Sequence, residues 1–485
     1  MESPHSPRTA WLALAILTAL LVPPAAYAQT GQVASLLDAL SLISGGMLVA
    51  PPLTPEITQD GGLYRVRIPL PTLTAPQGAA IEATATPIDP AAWDLTDLTL
   101  PQTSTFVVQG DPGRPAKSSV ISIGSQSGHA RIDPTLASPS SYKFQLGDIA
   151  LHDSPPAPPT DHITLGSVTF EGTIAGDTEG RMTARSYAMA NNGDLAGTSS
   201  QGFPGHMSLQ SFSARYDVDG LDRAKAANLR EMLAAVAASQ PATGSMSPLV
   251  RERLRAIFDA SDGLLSRLNV AETLHGLHFE LPNASGDISD ISLNAAGETR
   301  NDHVAGHMDI GFDDMILTSV PAQFAPYIPR RIDIKAAFSG LQAQALRQFL
   351  KDATAPNANP DALQARAIAL LNEPGAAAGI ESMVIQSGPL LVTGSSQVRP
   401  LPDGSAALDV HLTARGVDAM LALVQADPRA QQMMPMLFMA KGMGKPEGDS
   451  IVWDIDVANG AVLVNGVPFG HRGGAAPAAR PPINR

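Results

Sequence analysis

Four of the eleven histidines fall between residues 275 and 307, among Glu280, Asp287, Asp290 and Asp309. Imidazole with carboxylate is the donor set of zinc and, with more oxygen, of harder cations. Side chains alternate along a strand, so a strand over 301–312 points His303, His307 and Asp309 to one face. His278 and Glu280 share a face of LHFEL (277–281) in the same way. Two such strands side by side offer a metal site from His278, His303, His307 and Asp309; the plainer reading is a solvated strand face. Seven acids between 287 and 314, and the run Asp217-Val218-Asp219-Gly220-Leu221-Asp222, hint at calcium, but no loop has the required ligand spacing. Met433, Met434, Met436, Met439 and Met443 crowd one segment. Thioethers take Cu(I), and they also fill apolar gaps or line a greasy pocket. Ser140 and Lys143 have the Ser-x-x-Lys spacing of serine acyl-enzymes, but at a strand start and without the companion motifs. Metalloprotease, phosphate-loop, dinucleotide and nucleophile-elbow motifs are missing, so the expectation is a non-enzymatic protein without a cofactor.

The elements that position these residues begin with an address. Arg8, the apolar run Trp11–Val22 and Ala26-Tyr27-Ala28 read residues 1–28 as a secretory signal peptide. Gln29 follows the expected cut, so no lipoprotein cysteine is present. The expected location is the periplasm, with secretion as the alternative. No other apolar stretch has spanning length, so the mature chain is not expected to be an integral membrane protein. Zero cysteine removes disulfides and thiolate sites, and a net charge of -14 without a basic run argues against nucleic acid.

Residues 32–44 read as a short helix stopped by Gly45-Gly46. From 47 to 205, segments such as YKFQLGDIAL (142–151) and HITLGSVTFEGTIAG (162–176) alternate polar and apolar between turn residues. This predicts antiparallel strands with one buried and one wet face. DSPPAPPTD (153–161) reads as a stiff proline-rich loop, and 470–485 as a disordered tail.

Between 206 and 469 an internal repeat emerges, each copy running strand, glycine, helix, proline break, helix, strand. The pivots are Gly220, Gly340 and Gly416. Apolar helix faces come after them: Leu229, Met232 and Leu233; Leu346, Phe349 and Leu350; Met420, Leu423 and Val424. Second helices are placed near Pro248, Pro360 and Pro428, the last carrying Met433 and Met436. Stacked units close a core that one unit cannot. The expected fold is α+β: an elongated, curved antiparallel sheet with helix pairs on one face. Its parts would be 1–28, a β-rich 29–205, the repeat region 206–469 and the tail 470–485.

SIVWDIDVANGAVLVNGVPFG (450–470) resembles the C-terminal strand-turn tail of uncharacterised proteobacterial envelope proteins. VPAQFAPYIPRRIDIKAAFSGLQAQAL (320–346) resembles a linker and strand-to-helix join of the same group. Over about 270–470 the chain resembles the domain-of-unknown-function family 2125 and, more distantly, AsmA-like and YdgA-like periplasmic proteins. These motifs are mostly turn chemistry, and no catalytic residue carries over. The resemblance implies an envelope protein with a long sheet able to hold lipid. The expected function is binding of a lipid or other apolar ligand in a sheet–helix groove lined by Leu346, Phe349, Leu350, Met420, Leu423, Val424, Met433 and Met436. The alternatives are a structural protein that pairs with an envelope partner through sheet edges, and a metal-binding protein.

Overall fold

The structure is a computed structural model. It describes Leu36 and residues 55–69, 80–88, 92–108, 117–133, 136, 138–154, 162–177, 179–197, 205–226, 228–229, 232, 248–320, 322–355, 359–401, 405–426, 428, 434–458 and 461–471. The expected signal peptide, most of the 32–44 helix, residues 155–161, Leu233, Met433 and 472–485 lie outside the described residues. Two compact units emerge: Met1–Asp302 with Ile310–Pro321 and Arg347–Ala358, and His303–Asp309 with Ala322–Leu346 and Asn359–Arg485.

The first unit is an antiparallel meander. Strands β1 (Glu56–Asp60), β2 (Leu63–Pro69), β3 (Ala80–Pro87) and β4 (Trp93–Thr99) pair in chain order. Both β4 and β5 (Thr103–Val108) pair with β6 (Lys117–Asp133). Strands β7 (Ser138–Ser154), β8 (His162–Gly176), β9 (Arg181–Gly197), β10 (Gly205–Asp222), β11 (Arg267–Leu281) and β12 (Ala284–Arg300) continue it, each antiparallel to the last. Strand β10 pairs with β9 and β11 alike, and the compact unit runs on to Asp302.

The core of this unit sits at its N-terminal end. Tyr64, Val66, Ile68, Ile81, Trp93, Leu95, Ile132 and Tyr142 bury one face together with Leu36, and Phe144 and Phe170 pack against it. Leu36 is helical, as the pattern over 32–44 requires. Trp93 meets Tyr64 edge-on at 5.3 Å between ring centroids, a favoured aromatic geometry.

Alternation in β6–β12 changes phase at one level. Gly124, Asp148, Gly166, Asn192, Gln210, Gly276 and Ser289 form a transverse row that the ladder skips on every strand, while register is kept on both sides. Asp148, Asn192 and Gly276 have φ of 52°, 52° and 61°. Left-handed residues break the pleat locally and re-aim the side chains beyond them, as bulges do. On one side of the row the apolar positions are Tyr142, Phe144 and Leu146; on the other they are Ile149 and Leu151. Burial switches at the same level. In β6, Gly128, Ala130 and Ile132 are buried and Ser127, His129 and Arg131 exposed; past the row at Gly124, Ile123 is buried and Ser122 half-buried. The phase change therefore keeps one apolar and one polar face along these strands.

Between β10 and β11 lie helical residues 223–226, 228, 229 and 232 and then helix α1 (Pro248–Ala260). Asp222 caps the first helical turn, its carboxylate accepting from the Lys225 N–H. Strand β13 (His303–Asp313) spans both units, and β14 (Ile316–Leu317) pairs with β12.

In the second unit β15 (Arg331–Gln342) is followed by the first turn of α2 (Ala343–Ala353), whose residues from Arg347 on are counted with the first unit, and then by α3 (Pro360–Leu371), β16 (Ala377–Ser387) and β17 (Leu390–Pro400). Next come β18 (Ala406–Arg415), α4 (Val417–Ala426), α5 (Met434–Met443), β19 (Lys445–Glu447), β20 (Ser450–Ala458), β21 (Ala461–Val464) and β22 (Val467–His471). From β15 the pairing runs β16, β17, β18, β20, β21, β22, all antiparallel. Gly470 and His471 thus belong to a strand, not to a tail. Helix α3 packs on β15 and β17, and α4 on β17. Gly340 and Gly416 have φ of 68° and 75°, and a Cβ there would lie 2.2 Å from the Gly375 carbonyl oxygen and 1.9 Å from that of Pro389. Only glycine fits such a turn. No helix among the described residues is long and apolar enough to cross a membrane.

Candidate functional site

Five adjacent strands bring a band of histidines and carboxylates to one polar face of the first unit. Glu280 on β11 lies directly opposite His206 on β10, and His278 lies opposite Ser208, so the two imidazoles are diagonal neighbours. Asp194 on β9 is opposite Ser208 and Thr164, two residues on from His162 on β8. Asp287 on β12 faces His278.

The band is joined by hydrogen bonds. Asp194 accepts from His162 Nε2 at 3.0 Å and from His206 Nε2 at 2.7 Å. His278 Nδ1 meets Asp287 at 2.8 Å, and its Nε2 faces Glu280 at 3.5 Å. The two rings of His206 and His278 are 6.4 Å apart. One donor atom each from His206, His278 and Glu280 lie within 4.8 Å of one another. Beside them opens a cleft of about 560 Å³ along the transverse row, lined by Asn192, Asp194, Ser208, Gln210, His278 and Asp287 among others.

Electrostatics are set by these contacts. Hydrogen bonding to Asp287, helped by Glu280, holds the His278 imidazole above its ordinary pKa. Burial pushes the Asp194 carboxyl up, but hydrogen bonds and charge from His206 and His162 outweigh it and hold it below the usual range. The site can therefore hold a protonated His278 against carboxylates, or exchange that proton for a cation.

Of the residues singled out from sequence, His278 and Glu280 meet in this site. His303, His307 and Asp309 are not in its donor group; Asp309 pairs instead with Lys335 at 3.9 Å. His275 pairs with Asp290. Among the groove residues, Met420 and Val424 are closed into the buried face of α4, with Leu421 in the place expected for Leu423, which is 37% exposed. Leu346 and Phe349 are half-buried and Leu350 is exposed; Phe349 and Leu350 fall in the first unit, where neighbouring Arg347 and Lys351 pair with Asp262 and with Asp259 of α1. On α5, Met436 is 67% exposed, and Phe438 and Met439 are exposed with it. The calcium-like run is spent on arginines: Asp217 pairs with Arg185 and Arg215, and Asp219 with Arg185. Ser140 donates to the Arg131 carbonyl, while Lys143 pairs with Glu171.

Sequence reasoning misses His206 because it stands far from His278 along the chain, across the helical excursion between β10 and β11. Its signal is present all the same: HMSL before the row and LHFEL after it both put a histidine on the polar side of an apolar alternation.

No family model matches this chain, and neither does any curated protein or solved structure.

Proposed function

We propose that the protein is an exported, non-enzymatic envelope protein of the family 2125 kind, directed by residues 1–28, that binds an acyl chain or similar apolar ligand on its sheet. One observation carries this reading. The buried cluster of the N-terminal core reaches Phe170 on β8, and beyond it, Glu272 excepted, the same face stays largely apolar with Ala214 the most deeply buried residue on β10. That face also holds Phe212 and Tyr216 on β10, Val270 and Leu274 on β11, and Ile291 and Leu293 on β12, all half-buried. Apolar surface of this kind is a binding surface, and each methylene laid on it contributes about 0.8 kcal/mol. Tyr216 donates to the Glu272 carboxylate at 2.6 Å, and burial together with that carboxylate pushes the phenol up to about 12. The pair gives the apolar face the polar mark that fixes a ligand's orientation.

The three successions of strand, positive-φ glycine and helices, at Gly220, Gly340 and Gly416, are on this reading copies of one stacked unit. Mass spectrometry of the gently purified, untagged protein should show a co-purified lipid. A ligand-free spectrum, with no uptake of fatty acid from micelles, would remove the reading.

A second reading has its own support. Strand β22 pairs with β21 alone among the described strands, and its Val467 and Phe469 are exposed. An open, apolar edge is what a partner strand in the envelope pairs with. Crosslinking from residue 467 that captures a partner strand, with no lipid found, would favour it.

A further inference from the structure

We infer that His206, His278 and Glu280 form a binding site for a divalent transition metal, zinc being the fitting case, at the rim of the cleft on the polar face. This goes beyond the apolar-ligand reading and does not depend on it, because the two use opposite faces of the sheet.

The donor set is two imidazoles and one carboxylate, which zinc accepts with water in a fourth position. Zinc–donor distances of about 2.0–2.2 Å put tetrahedral donors roughly 3.3–3.5 Å apart. The three donors already lie within 4.8 Å of one another, on two hydrogen-bonded strands whose register is unbroken between His206 and Leu209. Of these, His278 Nε2 and Glu280 are already 3.5 Å apart, which is the spacing tetrahedral donors need.

What separates this group from chance histidines is its support. Metal-ligating imidazoles almost always have their second nitrogen held by a carboxylate or carbonyl. Both imidazoles here are so held. Asp287 takes His278 Nδ1 at 2.8 Å, leaving Nε2 toward Glu280. Asp194 takes His206 Nε2 at 2.7 Å, leaving Nδ1 as the ligand atom. Asp194 is itself braced by His162 at 3.0 Å. Three carboxylates, Asp194, Asp287 and Glu280, balance the dication and raise ligand basicity. Among the described residues, the other His–Asp contacts, His275 with Asp290, His411 with Asp454 and His129 with Asp94, lack a second imidazole in the donor group.

The test uses the untagged full chain, stripped with chelator, and zinc chloride alone as titrant in calorimetry at pH 7.5. One saturable site per chain is expected, and cobalt(II) in its place should give the visible bands of a four-coordinate ion. His206→Gln and His278→Gln should each weaken binding at least 30-fold and Glu280→Gln about 10-fold. Asp287→Asn or Asp194→Asn should weaken it about 10-fold through lost orientation, since removing such a supporting partner typically costs roughly 10–100-fold in metal affinity. His275→Gln should leave affinity unchanged. Absence of saturable binding, or equal weakening by His275→Gln and His278→Gln, would overturn the site. Far-UV circular dichroism of each variant separates loss of ligand from loss of fold, and fatty-acid binding should be the same in His278→Gln as in the wild type.

Discussion

Replacing Asn192 tests whether the transverse row sets the phase of the sheet. Asn192 sits at φ 52°, where its short amide side chain is tolerated and an alanine or valine is not. The left-handed region disfavours an ordinary L-residue by about 1–2 kcal/mol. Asn192→Ala should therefore lose about 1 kcal/mol and Asn192→Val about 2, while Asn192→Gly stays within about 0.5 of the wild type. Asp148 has the same φ of 52° two strands away, about 9.5 Å across the sheet. At that distance effects add, so Asp148→Ala with Asn192→Ala should lose about 2 kcal/mol. In urea, with m of about 3 kcal/mol/M, the single alanine lowers the midpoint by about 0.3 M and the double by about 0.7 M. Equal midpoints for the alanine and glycine variants would refute the reasoning, since the two differ only in tolerance for positive φ. So would a stable Asn192→Val.

The same structure sets three other outcomes. Trp93 is almost fully buried in the N-terminal core, and Trp93→Ala should lose about 3–5 kcal/mol by thermal or urea unfolding. Gly416→Ala, whose Cβ would meet the Pro389 oxygen at 1.9 Å, should lose about 3 kcal/mol or fail to fold, whereas Gly448→Ala at φ 64° with open space should lose about 1. In metal-free protein, Asp194 lies below its ordinary 3.8, so its contribution is present above about pH 4 and fades as pH falls through the lower folded value. His278 lies above 6.5, so its contribution is full below about pH 6.5 and fades as pH rises through the higher folded value. Asp194→Asn should then narrow its stability gap to the wild type only in acid, and His278→Gln only in alkali, in urea titrations across pH 3–9.

Much of the fold can be read from residue patterns, because the strands of the first unit carry strong alternation bounded by turn residues. The glycine pivots are legible for the same local reason, and Pro248 and Pro360 do open α1 and α3. The phase change is written in the residues but escapes a simple reading: Tyr142, Phe144 and Leu146 occupy even positions and Ile149 and Leu151 odd ones, around Asp148. A period-two scan averages over such a switch. The site is half legible. His278 and Glu280 are neighbours on one strand, but His206, Asp194 and His162 arrive through strand register, which is a long-range property. The partners assigned to His278 by spacing, His303, His307 and Asp309, do not join this donor group. The groove residues obey helical spacing, and packing uses part of that face for burial, as Met420 and Val424 show.

The central claim is that the apolar face beyond the core is a ligand surface. Titration of the full chain with a fluorescent long-chain fatty acid tests it most directly, comparing wild type with Leu274→Asn on the apolar face and Thr273→Asn beside it on the polar face. Saturable binding, weakened at least tenfold by Leu274→Asn and unchanged by Thr273→Asn, is the predicted result. Absence of saturable binding, or equal loss in both variants with the fold intact, would contradict it.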